Sequence, residues 1–355
     1  MQGLRLPTAL LCLALLLAAC QSQPSGQVHD DDTSGSSLIV ASFDLGSGSA
    51  RMLVAEVDAC SGTILQRLDS ASAPLGWAED LIAHQENQFS AEMLAEGSAT
   101  LQRLVDQAGN WQPDRMVGVA TQAFRQAVNA PTWIAQTRDA TGIDLRIVSR
   151  DEEAQMAWRL VQHRRGLPAE SLVVWDIGAG SQQWVWRDNN GQWHFVHSDL
   201  ASVTFKRRVM DVLGRPQNAP SPNPLTEDEL MALEPLVPDW FGEQPELRER
   251  LASASQLVGI GGVHGLSLPR QMNLRDSSIH RSAVKQALRL QLGLDDDEIG
   301  GQYAATDVTN LVLVAALLDW LDIEAYDFLK ADLTEAQLIR DSADCSPEDT
   351  DTGID

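Results

Sequence analysis

Positive charge is what this sequence is short of. Lysine and arginine number 26 against 50 aspartates and glutamates, a formal net charge of −24 over 355 residues. Such a surface repels nucleic acid and anionic headgroups at long range, and it disfavours long polyanions unless a local basic cleft offsets the field. Nucleic acid is therefore excluded as a partner. Long apolar runs are missing too. Residues 9–17 form the apolar stretch of the N-terminal "MQGLRLPTALLCLALLLAAC", shorter than the roughly 20 residues a spanning helix needs. The segment "TDVTNLVLVAALLDWLDI", residues 306–323, is apolar nearly all round but again too short to span, which predicts a buried helix. Cysteine is scarce, with Cys12, Cys20, Cys60 and Cys345 only.

The scarce cysteines are informative by position. A basic start at Arg5, the apolar run, and then Leu17-Ala18-Ala19-Cys20 resemble a bacterial lipobox. Residues 1–19 read as a lipoprotein signal peptide and Cys20 as the lipidated first residue of the mature chain; a plain secretory signal cut nearby is the alternative. This places the protein on the periplasmic side of a bacterial membrane, the outer in preference to the inner, held through the lipid at Cys20. Residues 20–37, polar and Gly/Ser-rich, read as a flexible tether. Residues 341–355 read as an acidic disordered tail. Cys60 and Cys345 are free to pair in an oxidising compartment or to stay as thiols.

Between tether and tail the pattern is α/β. Residues 37–69 suggest three strands joined by tight turns, followed by a helical stripe through Met93, Leu94, Leu101 and Leu104. The segment "QAFRQAVNAPTWIAQT" reads as helix, and "DLRIVS" as a strand. A strand–turn–strand unit then returns: "FDLGSGSARMLV" near residue 43 has a near-copy in "WDIGAGSQQWV" near residue 175. Two such units, each followed by helices, argue for a duplicated architecture with a cleft between the halves.

A glycine-serine turn after a strand gathers backbone N–H groups into a concavity that suits phosphate. An aspartate just before it suits a hard cation such as magnesium. Asp44 and Asp176 would face each other across the cleft. In "VSRDEEAQMAWRL", Ser149 and Glu152 have capping-box spacing, which accounts for Glu152. Glu153 instead heads a buried stripe of Met156, Ala157 and Leu160, a placement that suits a general base or a buried ion pair. Arg125 and Arg51 read equally as phosphate ligands or surface charges. His264 reads as packing, and Lys206 with Arg207 as a solvated basic face.

Taken in order, these residues resemble the exopolyphosphatase and guanosine-pentaphosphate phosphatase (Ppx/GppA) family of the actin-like phosphotransferase superfamily. "DLGSGSARMLVAEV" is similar to the family's first phosphate loop, "ATQAFRQAVNA" to its Thr-x-x-x-Arg segment, and "VSRDEEAQMAW" to the segment with the catalytic glutamate. "VVWDIGAGS" is similar to the second phosphate loop. The resemblance implies a duplicated actin-like (ribonuclease H-like) α/β fold, with residues 38–147 and 306–340 in one domain and 148–305 in the other. It also implies hydrolysis of a terminal phosphoanhydride, small or of short polyphosphate. Glu153 would be the base, with Mg²⁺ at Asp44 and Asp176, and Gly46, Ser47, Arg125, Gly178, Gly180 and Ser181 on the phosphate. A homodimer is left open.

The sequence departs from the family at defined points. Gly48 stands where an asparagine is usual. The second loop reads Gly178-Ala179-Gly180-Ser181-Gln182-Gln183 in place of Gly-Gly-Gly-Ser-Thr-Glu, so Gln183 replaces a carboxylate. The competing reading is a binding or scaffold lipoprotein that keeps the fold without the reaction.

Overall fold

The computed structural model describes residues 37–339 apart from 85, 217 and 255. Its first sheet is made of β1 (Ser37–Leu45), β2 (Ser49–Asp58), β3 (Ile64–Pro74), β4 (Arg115–Ala120) and β5 (Asp144–Ile147), in the order β3-β2-β1-β4-β5. The second has β6 (Leu172–Ile177), β7 (Gln182–Arg187), β8 (Trp193–Ser198), β9 (Gln256–Ile260), β10 (Ser278–His280) and β11 (Ala325–Phe328), in the order β10-β11-β9-β6-β7-β8. In each sheet three antiparallel strands lead the chain, and two further strands join parallel to the first of them. β10 is an addition at one edge. The duplication suspected from two turns is thus a duplication of whole sheets.

The central strands are buried along most of their length, as strands covered on both faces should be. Phe43, Leu45, Val173, Trp175 and Ile177 are all at most 1% exposed. The helix Ala91–Gly109 starts at Ser90, whose hydroxyl accepts from the Met93 N–H at 3.0 Å. It lays Met93, Leu101 and Leu104 on the first sheet's core. The helix Arg150–Arg165 is capped by Ser149, ends at Gly166 in the left-handed region (φ 62°), and serves both halves. Ala154, Ala157, Trp158 and Val161 pack under the second sheet. Met156 and Leu160 instead meet Val119 and Val148 of the first half. This shared helix carries Glu153 to the cleft.

The structure differs from the sequence reading in three places. The segment expected as one helix is two, Gln122–Gln126 and Ala130–Thr141, with Pro131 in the first turn of the second. The helix Ala304–Trp320 is buried as expected, but it packs in the second sheet's core, and β11 pairs with β9. Of residues 306–340, grouped above with the first half, only the end returns there. Gln337 Nε2 donates to Phe43 O at 2.9 Å, and Leu338 joins the apolar cluster of Val40, Leu53, Ala55 and Val57. Finally, Lys206 is no solvated face: it is 7% exposed and donates to Pro220 O at 3.0 Å. A lysine whose methylenes pack inward on an amphipathic helix reads the same in sequence as a surface one.

Among the described residues, no helix is long and apolar enough to cross a membrane. The expected signal peptide, the expected lipidation site Cys20, the expected tether up to residue 36 and the expected tail, residues 341–355, lie outside the described residues. Cys60 is disulfide-bonded, and Cys345 lies outside them.

Candidate active site

The two turns are built alike. In the first, the Gly46 N–H donates to Ser49 O at 2.9 Å; in the second, the Gly178 N–H donates to Ser181 O at 3.0 Å. The loop carbonyls of each turn point toward the start of the helix that follows the third strand, Trp77–Ala83 or Ser202–Val212. Ser47 O and Gly48 O accept from Ala78 N and Leu75 N, while Gly178 O and Ala179 O accept from Ser202 N and Val203 N. With the carbonyls turned away, the N–H groups of Ser47, Gly48, Ala179 and Gly180 carry no backbone partner among the described residues. They are the donors available to an anion. Gly46 and Gly178 therefore shape the turns, and their own N–H groups are occupied.

The turns meet. A methyl group placed on Gly48 would lie 3.6 Å from the Ala179 side chain. One placed on Gly180 would lie 1.8 Å from Gln122 Oε1 and 3.2 Å from Ser47 Oγ. Gln122 is buried and accepts from Ser47 Oγ at 3.3 Å, so it wedges the first turn against the second. Sequence reasoning missed it, although it sits three residues before Arg125.

Asp44 and Asp176 end β1 and β6 on either side of this contact. Burial pushes the Asp44 carboxyl up to about 7; Arg51 draws it down, and Asp332 and Glu153 push it up. Burial also pushes Asp176 up to about 7, helped by Glu153 and Asp44 and opposed by Arg51. Arg51 is the cross-strand partner of Asp44, with its guanidinium 3.8 Å from the Asp44 carboxylate and 4.0 Å from that of Asp332. Gly261, at φ 85°, keeps Asp176 in place: a methyl group there would lie 2.3 Å from Asp176 Oδ1.

Glu153 is buried, at 7% exposure, and the Arg125 guanidinium donates to it at 2.7 Å. The same Arg125 nitrogen donates to Val148 O at 3.0 Å, while its other terminal nitrogen is buried without a partner. Arg125 is thus neither a surface charge nor solely a ligand for an incoming anion; it holds the glutamate. Ser181 and Ser47 are buried in the turns, at 5% and 6% exposure. His264 packs, as expected: it is fully buried, bonds Tyr326 Oη through Nδ1 at 2.8 Å, and is pushed down to about 3 by burial.

A phosphatase family model, Ppx/GppA, matches residues 54–214, which include the second turn, Arg125 and Glu153. Solved structures are similar in fold over most of the chain. A Ppx/GppA member from Aquifex aeolicus superposes with a TM-score of 0.66 at 16% identity, covering 85% of this chain and 97% of that one. An exopolyphosphatase from Cytophaga hutchinsonii gives 0.67 at 14% identity, covering 84% and 96%. Residues 54–214 match the Ppx/GppA model, and the fold is similar to that of solved Ppx/GppA structures. The duplicated two-sheet α/β architecture is the fold that these structures share with the chain.

The family brings an expectation of a divalent cation, and the residues can be tested for it. No group of three or more His, Cys, Asp or Glu side chains arranged to hold a metal occurs among the described residues. Magnesium asks for less, commonly one or two carboxylates with water and phosphate oxygens completing its octahedron. Asp44 Oδ1 is buried with no hydrogen-bond partner, and Asp176 faces it from the other turn. That pair fits the ion.

Proposed function

We propose that this chain is a lipid-anchored periplasmic phosphatase that hydrolyses the terminal phosphoanhydride of a small or short polyphosphate-like substrate. The match of residues 54–214 to a phosphatase family model supports hydrolase chemistry on phosphoanhydrides. The observation that carries the finer reading is the meeting of two matched turns, with unpaired N–H groups, beside a buried Glu153–Arg125 pair. The excess of acidic residues favours a short substrate over a long polyanion.

In this reading the terminal phosphoryl group rests against the N–H groups of Ser47, Gly48, Ala179 and Gly180. Glu153 takes a proton from a water whose oxygen attacks the terminal phosphorus. The phosphorus–bridging-oxygen bond breaks, and the shortened chain leaves with that electron pair. Arg125 fixes the glutamate and turns its remaining N–H donors toward the transferred group. Mg²⁺ held by Asp44 and Asp176 would neutralise the phosphate oxygens. Little covalent work falls to the protein, so positioning and charge carry the catalysis.

A binding lipoprotein without turnover is the second reading, favoured by the neutral Gln183 beside Asp176. Phosphate release by the full-length chain in detergent, with Mg²⁺ and short polyphosphate, separates the two. Release that falls on the order of 10²–10⁴-fold in Glu153→Gln supports the enzyme. A folded chain that releases no more phosphate than its Glu153→Gln variant would sink it.

A further inference from the structure

The turn between β2 and β3 is shaped to receive the end of the folded chain. Asp58 braces it: its carboxylate accepts from the Ser61 N–H at 2.7 Å and from the Ser61 hydroxyl at 2.8 Å. The Gly62 N–H donates to Asp58 O at 2.9 Å. Gly62, at φ 67°, is where the chain end crosses; a methyl group there would lie 1.6 Å from Leu338 O and 3.1 Å from Ile339 Cα. Cys60 stands in this braced turn, and it is disulfide-bonded.

What arrives at that turn is a strap between the two halves. It leaves the second sheet at Leu329, whose N–H donates to Gly259 O at 2.9 Å. Ala331, Leu333, Ala336 and Ile339 then pack with Val119 and Val148 of the first half and with Met156 and Leu160 of the shared helix. Asp332 comes within 4.0 Å of Arg51, the cross-strand partner of Asp44. Glu335, 5% exposed, is held by Arg67 of β3 at 2.6 Å and by Arg164 of the shared helix at 3.2 Å. The helix within the strap, Leu333–Ala336, has four residues, far below the roughly 12–15 at which an isolated helix becomes even marginal. Its order therefore depends on how the two ends of the strap are fastened.

We infer that Cys60 is bonded to Cys345, and that this disulfide locks the strap onto the first half, so that a dithiol reductant loosens it. The sequence offers Cys60 three partners within the chain, Cys12, Cys20 and Cys345. Cys345 lies six residues past Ile339, a reach of about 20 Å at full extension. Cys20 lies seventeen residues before Ser37, and effective concentration falls with the length of the tether. The lipid expected on Cys20 would also use its sulfur, and Cys12 is more remote still. Opening the bond is an exchange with balanced electrons. One thiolate of the dithiol attacks one sulfur, and the other cysteine leaves as a thiolate that takes up a proton. The second thiolate then displaces the attacked cysteine, so both cysteines are reduced and the dithiol becomes a disulfide. The far end of the strap is then held by its side chains alone. This inference does not use the phosphatase reading.

Peptide mapping of the full-length chain, produced in an oxidising compartment and alkylated in detergent without reduction, tests the pairing. One linked pair of peptides carrying Cys60 and Cys345 of the same chain is expected. Cys60 linked to Cys20 or to a second chain, or alkylated as a thiol, overturns it. Hydrogen exchange and thermal unfolding, each with and without dithiothreitol, test the lock. The Gln337 and Leu338 N–H groups donate to Leu333 O and Glu335 O, and reduction should speed their exchange by about tenfold or more. Exchange in the Arg150–Arg165 helix should not change. The melting temperature should fall by roughly 5–10 °C. Cys345→Ser should reproduce both effects and no longer respond to dithiothreitol; if that variant fails to fold, the reduced wild-type chain decides. Strap amides that exchange at the same rate in oxidised and reduced wild-type chain overturn the lock, since a bond that merely tethers the tail would give that result. A Cys345→Ser chain that still responds to dithiothreitol overturns the pairing.

Discussion

The β1–β2 and β6–β7 turns share a backbone and differ in what stands across from the aspartate. Both close with a glycine N–H on a serine carbonyl, and both hand two loop carbonyls to the start of the helix after the third strand. Opposite Asp44 stands Arg51; opposite Asp176 stands Gln183. The backbone thus makes two equivalent cradles, while one side-chain position in each sets the local charge. Duplication preserved the geometry, and the electrostatics diverged on top of it.

Breaking the geometry should have the larger effects. Gly261 holds φ 85° with Asp176 Oδ1 2.3 Å and Ile177 O 2.5 Å from where a methyl group would sit. Gly261→Ala is expected to cost about 3 kcal/mol or more, read by chemical denaturation. Gly180→Ala must displace the Gln122 carbonyl from 1.8 Å. A side chain can move, so about 1–2 kcal/mol is expected. Gly48→Ala meets only an ordinary 3.6 Å contact with Ala179. It should stay within about 0.5 kcal/mol of the parent. The three together test whether the turns are locked to each other or merely adjacent: equal effects at 180 and 48 would count against the lock.

Sharpening the electrostatic half needs pH. The folded-state carboxyls of Asp44 and Asp176 lie at about 7 against the ordinary 3.8. A raised folded value stabilises the chain fully below 3.8, and that contribution is lost as pH rises through about 7. The melting temperature should therefore fall across that window, and Asp44→Asn should flatten the fall. Mg²⁺ should restore stability at the upper end, and a chelator should remove the gain. A slope unchanged by Asp44→Asn would mean that other groups set it.

Much of this was legible in the sequence because it is local. The turns, the Ser149 cap and the Thr226–Glu229 capping box are written within a few residues, and the structure shows both arms of the last. The stripe of Met156, Ala157 and Leu160 is buried as its period indicated. What the sequence hid depends on distant partners. Glu153 finds Arg125 across 28 residues, and Gln122 finds Ser47 across 75. The Ala304–Trp320 helix is apolar on all sides, so its pattern carries no direction, and only packing decided which sheet it joined. The Gly46 and Gly178 N–H groups were expected on the phosphate because sequence shows a glycine but not where its amide is spent.

The central claim is that two turns serve one phosphate. Its most direct test is calorimetric titration of the full-length chain with methylenediphosphonate, an analogue that resists hydrolysis, in the presence of Mg²⁺. One molecule bound per chain, with uptake lost in Asp44→Asn on the first turn and equally in Asp176→Asn on the second, is the predicted result. Two molecules per chain, or loss in only one of the two variants, would mean that the turns act separately and would contradict it.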